Sequence, residues 1–154
     1  MEIRAATLSD VVALQTLFHA YRQLSAGSSP HETEADAGRW IETRLKRDEA
    51  VFLIAAEGHQ LLGFATLYPG FSSISLQQFW TLNDLYVVDQ ARGQGVGTAL
   101  LATVEAHATA TQAKGIALET SVENLSAQRL YESLGYQKNT HYQPYFKKIG
   151  VSRG

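Results

Sequence analysis

Three alternate glycines follow an apolar stretch just past the middle of the chain, in the segment Val87-Val88-Asp89-Gln90-Ala91-Arg92-Gly93-Gln94-Gly95-Val96-Gly97-Thr98. Glycine has no Cβ, so an oxyanion can come close to the backbone N–H groups of such a loop. The helix expected to begin here adds a partial positive charge, and Arg92 adds a full one. The segment therefore predicts a loop that binds a pyrophosphate.

Two familiar phosphate-binding loops do not fit this segment. A Walker loop ends in Gly-Lys-Ser/Thr, and this segment has no lysine, which disfavours nucleotide hydrolysis. A dinucleotide fingerprint that starts at Gly93 would need glycine at position 98, where threonine stands, and it would normally lie early in a βαβ unit. The remaining alternative is a glycine-rich turn that only eases the packing of a helix on a strand.

Strands and helices alternate around this loop, which predicts an α/β or α+β fold with a mixed sheet. Apolar spacing predicts helices after Thr7 or Ser9 and after Pro30, the latter following a Gly27–Pro30 break. The other helices are expected over about 95–114, with Gly115 as its cap, and over 125–134, ended by Gly135. Strands are expected at 2–6, 51–56, 61–68 (ended by Pro69-Gly70), about 74–88, 116–120 and, as two closing strands, within 136–149.

The long strand before the loop changes its pattern near Asn83 and Asp84. Its apolar residues have one parity before this point and the other parity after it: Ile74, Leu76, Trp80 and Leu82, then Leu85 and Val87. An extra residue, a β-bulge, would keep both sets on one face and leave nearby backbone groups unpaired. A strand buried on both faces is the alternative.

Composition limits the class of protein. The chain has 154 residues, of which 45% are hydrophobic, and a net charge of −2, which is typical of one globular domain spanning residues 1–154. This net charge disfavours a general nucleic-acid-binding protein, which would be expected to be basic. Cysteine is absent, and the five histidines have no metal-ligand spacing, so we expect no metal. Neither a signal peptide nor a membrane-spanning run is recognisable, so we expect a soluble, cytoplasmic protein without membrane contact.

Two motifs together resemble those of the GNAT superfamily of N-acyltransferases. Arg92, Gly95 and Gly97 match its R-x-x-G-x-G loop, which binds the pyrophosphate of acyl-CoA. Residues 124–136 (Asn124 to Tyr136) match its second signature, N-x-x-A-x-x-L-Y-x-x-x-G-F/Y, at the family's spacing. The resemblance covers nearly the whole chain. It implies a mixed, twisted sheet of six to seven strands with about four flanking helices, splayed between the fourth and fifth strands to hold acetyl-CoA.

The resemblance also implies roles for individual residues. Tyr131 matches the general acid that protonates the departing thiolate, and Asn124 matches an asparagine near the thioester end of the cofactor. Backbone groups of the strand before the loop would pair with the pantetheine arm, and Arg92 with the loop amides would hold the pyrophosphate. The cofactor set is then Leu85, Tyr86, Val87, Arg92, Gly93, Gln94, Gly95, Val96, Gly97, Thr98 and Asn124.

An amine acceptor needs an acid of its own. A primary amine has a pKa of about 10.4, so its neutral form costs roughly 4–5 kcal/mol at pH 7. Asp84 matches an acid of small-amine acetyltransferases and is the first candidate to bind the ammonium and take its proton. Several of those relatives carry glutamate where Asn83 stands. Glu119 is the second candidate, and the family's helix 1–helix 2 region implies that Tyr21, Glu32, Glu34 and Trp80 line the acceptor side.

These features predict acetyl transfer from acetyl-CoA to a primary amine by direct attack in a ternary complex. The acceptor is expected to be a small cationic amine, because the acids are scattered and form no extended groove for a basic protein. A protein lysine or N-terminus, and a catalytically silent CoA-binding module, are the alternatives. The aromatic stretch 141–146 is expected to form a strand through which two copies pair as a homodimer.

Overall fold

Five strands and four helices make up the part of the chain that the computed structural model describes, residues 1–24 and 31–150. In chain order they are β1 (Glu2–Ala5), α1 (Val11–Gln23), α2 (Glu34–Lys46), β2 (Val51–Glu57), β3 (Gln60–Ser72), β4 (Gln77–Val87), α3 (Val96–Ala110), β5 (Ile116–Leu118) and α4 (Leu125–Ser133). By internal contacts the chain divides into two compact units, residues 1–118 and 119–154. The first unit contains the whole sheet, and the second contains α4.

The sheet is mixed, as the sequence predicts. Its strand order is β1-β2-β3-β4-β5, in which the first four strands are antiparallel and β5 runs parallel to β4. The expected count of six to seven strands is too high for the described residues, because 136–150 contain no strand. Tyr145 and Phe146, which suggested one, are exposed. A strand needs a neighbouring strand, and an aromatic stretch around Pro144 does not by itself supply one.

Capping boxes lie at the start of the 3₁₀ turn that precedes α1 and at the start of α2. Thr7 starts a 3₁₀ turn (Leu8–Asp10) before α1, and Arg4 donates two 2.8 Å hydrogen bonds to the Asp10 carboxylate. The Asp10 pKa is lowered to about 2, chiefly by Arg4. Thr33 caps α2 through a capping box with Asp36. Helix α2 therefore begins at Glu34, later than Pro30 would place it, and the Gly27–Pro30 break lies outside the described residues.

Helices cover both faces of the sheet. Helices α1 and α2 pack with Phe52, Ile54 and Phe64 in one buried cluster. Gly63 lies on the opposite face, where a Cβ would come within 3.3 Å of Leu100 in α3. Alternate residues of β2 and β3 thus face different helices, which explains the nearly continuous apolar sequence of these two strands.

The predicted bulge is present in β4. Across from it, Thr66 pairs with Asp84 while the next residue of β3, Leu67, pairs with Leu82, so Asn83 is the extra residue. Leu82 and Leu85 consequently pair with residues of one parity on β3, and their side chains lie on the α3 face. Asp84 lies on the α1/α2 face opposite Thr66. The bulge thus allows the apolar residues before and after it to face the same side of the sheet.

Several boundaries differ from the sequence expectations. Strand β3 continues through Pro69, which pairs with Trp80, to Ser72, and from position 68 onward it pairs with β4 alone in the described residues. Helix α3 ends at Ala110 rather than near Gly115, because Thr111 and then Gln112, with φ of 58°, leave the helical conformation. Helix α4 ends before Gly135 as predicted. No helix in the described ranges has the length and hydrophobicity that a bilayer crossing requires.

Trp80 of β4 packs against the C-terminal end of α3. Its ring lies 4.9 Å from that of His107, and its Nε1–H donates a 2.9 Å hydrogen bond to Thr111 Oγ1. Burial lowers the pKa of His107 below its ordinary value of 6.5. The packing therefore favours the neutral imidazole.

We predict that stability falls as pH drops below about 6.5, since the unfolded chain then binds a proton at His107 that the folded state resists. The stabilisation is complete above 6.5 and is lost as pH falls toward the lower folded-state pKa. Urea midpoints between pH 5 and 8 should show this slope in the wild type and a weaker one in His107→Phe. His59→Phe, at an exposed histidine of the β2–β3 turn, is the control. An identical slope in wild type and His107→Phe would contradict the assignment.

Candidate active site

The glycine loop joins β4 to α3 in a conformation that only some residues adopt. After a short 3₁₀ turn (Asp89–Ala91), Gly93 and Gly95 have φ of 76° and 81°, in the left-handed region. Gly95 is the N-cap of α3, and the first helical hydrogen bond runs from Ala99 N to Gly95 O at 3.0 Å. The N–H groups of residues 96–98 precede that bond and have no partner within the helix. A Cβ built on either left-handed glycine meets no atom within 4 Å, so the space above the loop is open to a ligand.

Arg92 brings the positive charge to this loop. Its Nε donates a 3.1 Å hydrogen bond to Val87 O, and its Nη1 lies 3.1 Å from an Asp89 carboxylate oxygen. Its guanidinium carbon lies 6.0 Å from the centre of the Tyr86 ring. These contacts orient the guanidinium beside the start of α3, while its side chain stays more than half exposed. The loop thus combines helix N–H donors with a cation, which suits an anion.

One edge of β4 is free of its neighbour along the residues that precede the loop. Strand β5 pairs with β4 only at Trp80, Thr81 and Leu82. Beyond the bulge, residues 84–87 pair with β3 on one side, and β5 in the described residues does not extend along the other. Val88 N donates to Leu62 O of β3, so the backbone groups of Tyr86, two residues earlier, also face β3. The backbone groups of Leu85 and the N–H of Val87 face the free edge and are available to an extended ligand, whereas the Val87 carbonyl accepts from Arg92.

Asp84 occupies the α1/α2 face directly after the bulge. One of its carboxylate oxygens accepts a 3.2 Å hydrogen bond from the Asn83 amide. Its cross-strand partner Thr66 is fully buried, and the Thr66 hydroxyl has no hydrogen-bond partner within the described residues. The side chain is half-buried. It can therefore present a carboxylate to a ligand on a face whose buried core is mostly apolar.

Sequence reasoning missed the side chains around Asp84 that come from β3 and α2. Burial and the Asp84 charge raise the pKa of Tyr68, while a hydrogen bond from the Trp40 indole and the Arg44 charge oppose the rise. The position of Tyr68 could have been predicted from the strand pattern, because it lies two residues after Thr66 and therefore faces the same side of the sheet. Trp40 and Arg44 stand four residues apart on α2, and only the packing of α2 on the sheet brings them to Tyr68.

The residues expected on the acceptor side lie in different environments. Tyr21 contacts Phe64 and Tyr86, with ring centres 5.5 Å from each. Glu32 forms an ion pair with Arg22. Glu34 accepts hydrogen bonds from Gln15 and Thr16 of α1. Trp80 is only 7% exposed and packs against α3, on the face opposite Asp84.

The second unit contains three of the predicted residues. Asn124 is the N-cap of α4: its Oδ1 accepts from Ala127 N at 3.2 Å, a role that does not use the amide NH₂ group. Tyr131 packs against Tyr136 with ring centres 5.7 Å apart, and burial raises its pKa. Its hydroxyl therefore stays protonated at neutral pH. Glu119 is exposed and follows β5 instead of lying within it, because that strand ends at Leu118.

Comparison with known proteins identifies the class to which this fold and loop belong. A model of the Acetyltransferase (GNAT) family matches residues 13–136. The chain belongs to the GNAT family and is an N-acetyltransferase.

Individual relatives agree with this classification. The chain is 39% identical to the uncharacterized N-acetyltransferase YhfO of Bacillus subtilis (strain 168), over 94% of this chain and 95% of that protein. It is 29% identical to an aminoglycoside N(6')-acetyltransferase type 1 of Stenotrophomonas maltophilia, over 80% and 94% of the two chains. A crystal structure of a probable acetyltransferase superposes with a TM-score of 0.89 at 37% identity, covering 98% of this chain and 99% of that one.

We predict that Gly95→Val weakens binding of CoA about tenfold or more. Valine is strained at a φ of 81°, and its side chain would fill the open space above the loop. Gly58→Val is a matched control, because Gly58 has a φ of 60° and equally open surroundings in the β2–β3 turn. Calorimetry on both folded variants decides the point. CoA binding by Gly95→Val at the wild-type affinity would show that the loop is not the pyrophosphate site.

Proposed function

We propose that the protein transfers an acetyl group from acetyl-CoA to a small primary amine, by direct attack within a ternary complex. The observation that carries the proposal is the juxtaposition on β4. The same strand supplies an acid at Asp84, a free backbone edge from Leu85 to Val87, and the entry to the glycine loop. An acyl-CoA laid along this strand would bring its thioester end toward the acid.

The cofactor half of the proposal rests on the loop and on the β4 edge. The amides of Gln94 to Thr98 and the Arg92 guanidinium would neutralise the pyrophosphate. Backbone groups of Leu85 and the N–H of Val87 would hydrogen-bond the amides of the pantetheine arm, as an added strand would. Asn124 would use its amide NH₂ near the thioester end, since its oxygen caps α4.

The acceptor half rests on Asp84 and the aromatic rings of the α1/α2 face. Asp84 shares its sheet face with Tyr68 and Tyr86, and Tyr21 packs on Tyr86. A carboxylate on a face with these rings suits an ammonium group, because aromatic faces attract cations and the acid balances the charge. Glu32 and Glu34 have partners on α1, and Trp80 is buried on the other face, so this proposal leaves these three out. Glu119 stays the second candidate for the base.

The reaction then needs three proton transfers, because the nitrogen must lose two protons and the departing thiolate must gain one. Asp84, directly or through water, takes a proton from the ammonium, and the neutral nitrogen attacks the thioester carbon. As the tetrahedral intermediate collapses, the C–S bond breaks and Tyr131 gives its hydroxyl proton to the thiolate. The nitrogen of the tetrahedral intermediate loses its second proton to water. One amine proton restores Tyr131 through solvent and the other is released, so the ammonium and acetyl-CoA give an amide, the free thiol of CoA and one H⁺. The raised pKa of Tyr131 keeps its hydroxyl proton in place until the thiolate forms.

A small acceptor is favoured over a protein tail because Glu32 and Glu34 are paired with residues of α1. It is also favoured because one relative is named as an aminoglycoside acetyltransferase. The test is a panel of polyamines, monoamines, amino acids, aminoglycosides and lysine-rich peptides at equal concentration, followed by release of free thiol. Peptides that exceed every small amine by tenfold in kcat/KM would overturn the choice. Binding of CoA without transfer to any acceptor would favour a silent CoA-binding module.

We predict that Tyr131→Phe lowers kcat about 10²-fold while CoA affinity is unchanged. The substitution removes only the hydroxyl, so the packing of the ring is retained. Tyr136→Phe is the control, since it removes the same group from the ring against which Tyr131 packs. An unchanged kcat for Tyr131→Phe between pH 6 and 9 would exclude the residue from the chemistry.

We predict that Asp84→Asn raises KM for the amine about tenfold or more, because the ammonium loses its counter-charge, and that it leaves KM for acetyl-CoA unchanged. Steady-state kinetics with each substrate varied in turn measures both values. Asp48→Asn removes the same charge from the exposed α2–β2 turn and is the control. A rise in KM for acetyl-CoA of similar size would contradict an acceptor role for Asp84.

A further inference from the structure

Arg44 is a cation held close to the proposed acceptor site. Its guanidinium carbon lies 4.1 Å from the centre of the Trp40 ring, one helical turn earlier on α2. Its side chain is 19% exposed, so the charge is largely withdrawn from water. Tyr68 lies two residues after Thr66 on β3 and so shares the sheet face of Asp84, the cross-strand partner of Thr66. The Tyr68 hydroxyl interacts electrostatically with both the Asp84 carboxylate and the Arg44 cation.

The contacts of Arg44 leave the outer end of its guanidinium available. Its Nε lies 3.0 Å from a Glu49 carboxylate oxygen, and Glu49 is about half exposed. Nε is the guanidinium nitrogen nearest to Glu49, and within the described residues Nη1 and Nη2 make no hydrogen bond. Those two nitrogens form the planar fork that matches the two oxygens of a carboxylate.

A purely structural role would explain less of this arrangement. A cation in the last turn of a helix and an ion pair with a nearby glutamate are both ordinary stabilising features. An exposed, extended arginine would serve both purposes. Arg44 instead lies over the Trp40 ring, and the Trp40 indole also donates to Tyr68. Trp40 and Tyr68 therefore connect the cation to the face that bears Asp84.

We propose that Arg44 is a specificity residue that binds a carboxylate on the acceptor, so that the preferred acceptors are amino acids rather than simple amines. The inference rests on the proposed function. Asp84 would take the ammonium and Arg44 the carboxylate of the same small molecule, with Tyr68 and Trp40 lining the space between. Two fixed, opposite charges recognise a zwitterion and disfavour a molecule that carries only positive charge.

Matched acceptor pairs that differ only in the carboxylate test the inference. Ornithine and putrescine, lysine and cadaverine, and phenylalanine and phenethylamine are assayed with the wild type, Arg44→Gln and Arg47→Gln. The wild type should favour the carboxylate member of at least one pair about tenfold or more in kcat/KM. Arg44→Gln should abolish that preference by raising KM for the amino acid, with little change in KM for its decarboxylated partner. Arg47→Gln, at an exposed residue directly after α2, should behave like the wild type.

Each other outcome has one meaning. Equal rates on both members of every pair in the wild type overturn the carboxylate site and leave acetyl transfer to amines intact. Equal losses on both members in Arg44→Gln, accompanied by a lower melting temperature, assign the residue a structural role and also overturn the inference. Failure to acetylate any amine in the panel overturns the proposed function itself, and with it this proposal.

Discussion

A single extra residue in β4, Asn83, determines which side chains of that strand reach which face of the sheet. Before it, Trp80 and Leu82 pack toward α3, and after it Leu85 and Val87 continue on the same face. Without the insertion, Asp84 would point into the α3 interface, where an unpaired carboxylate would be costly. With it, the carboxylate lies on the other face, opposite Thr66.

The same irregularity coincides with the end of pairing between β4 and β5, which stops at Leu82. A sheet that stayed closed here would satisfy every backbone group with its neighbour and leave none for a ligand. The open edge beyond Leu82 leads directly into the glycine loop, whose own N–H groups precede the first bond of α3. Main-chain donors and acceptors therefore form a continuous path along one strand and into one helix.

Local chemistry in the sequence predicted the features that depend on residue type. The start of a helix after the glycine loop and the end of α4 before Gly135 were predicted from residue types, and the bulge near Asn83 was one of two alternatives for the strand pattern. The mixed sheet was predicted from the alternation of strands and helices. Features that depend on distant packing were not predictable. Nothing near Trp80 in the sequence identifies His107 and Thr111 as its partners, and nothing places Arg44 beside Tyr68. The roles of Tyr131 and Asn124 come from resemblance to the family and remain predictions.

The proline in β3 has a consequence for solubility. From Tyr68 onward β3 extends beyond β2, so in the described residues its outer edge is bare, and Phe71 nearby is exposed. A bare, apolar strand edge can serve as a template on which a strand of another molecule adds. Pro69 has no N–H to offer such a strand and cannot continue a regular hydrogen-bond ladder. The residue therefore protects this overhang against edge-to-edge aggregation at little cost to its pairing with β4.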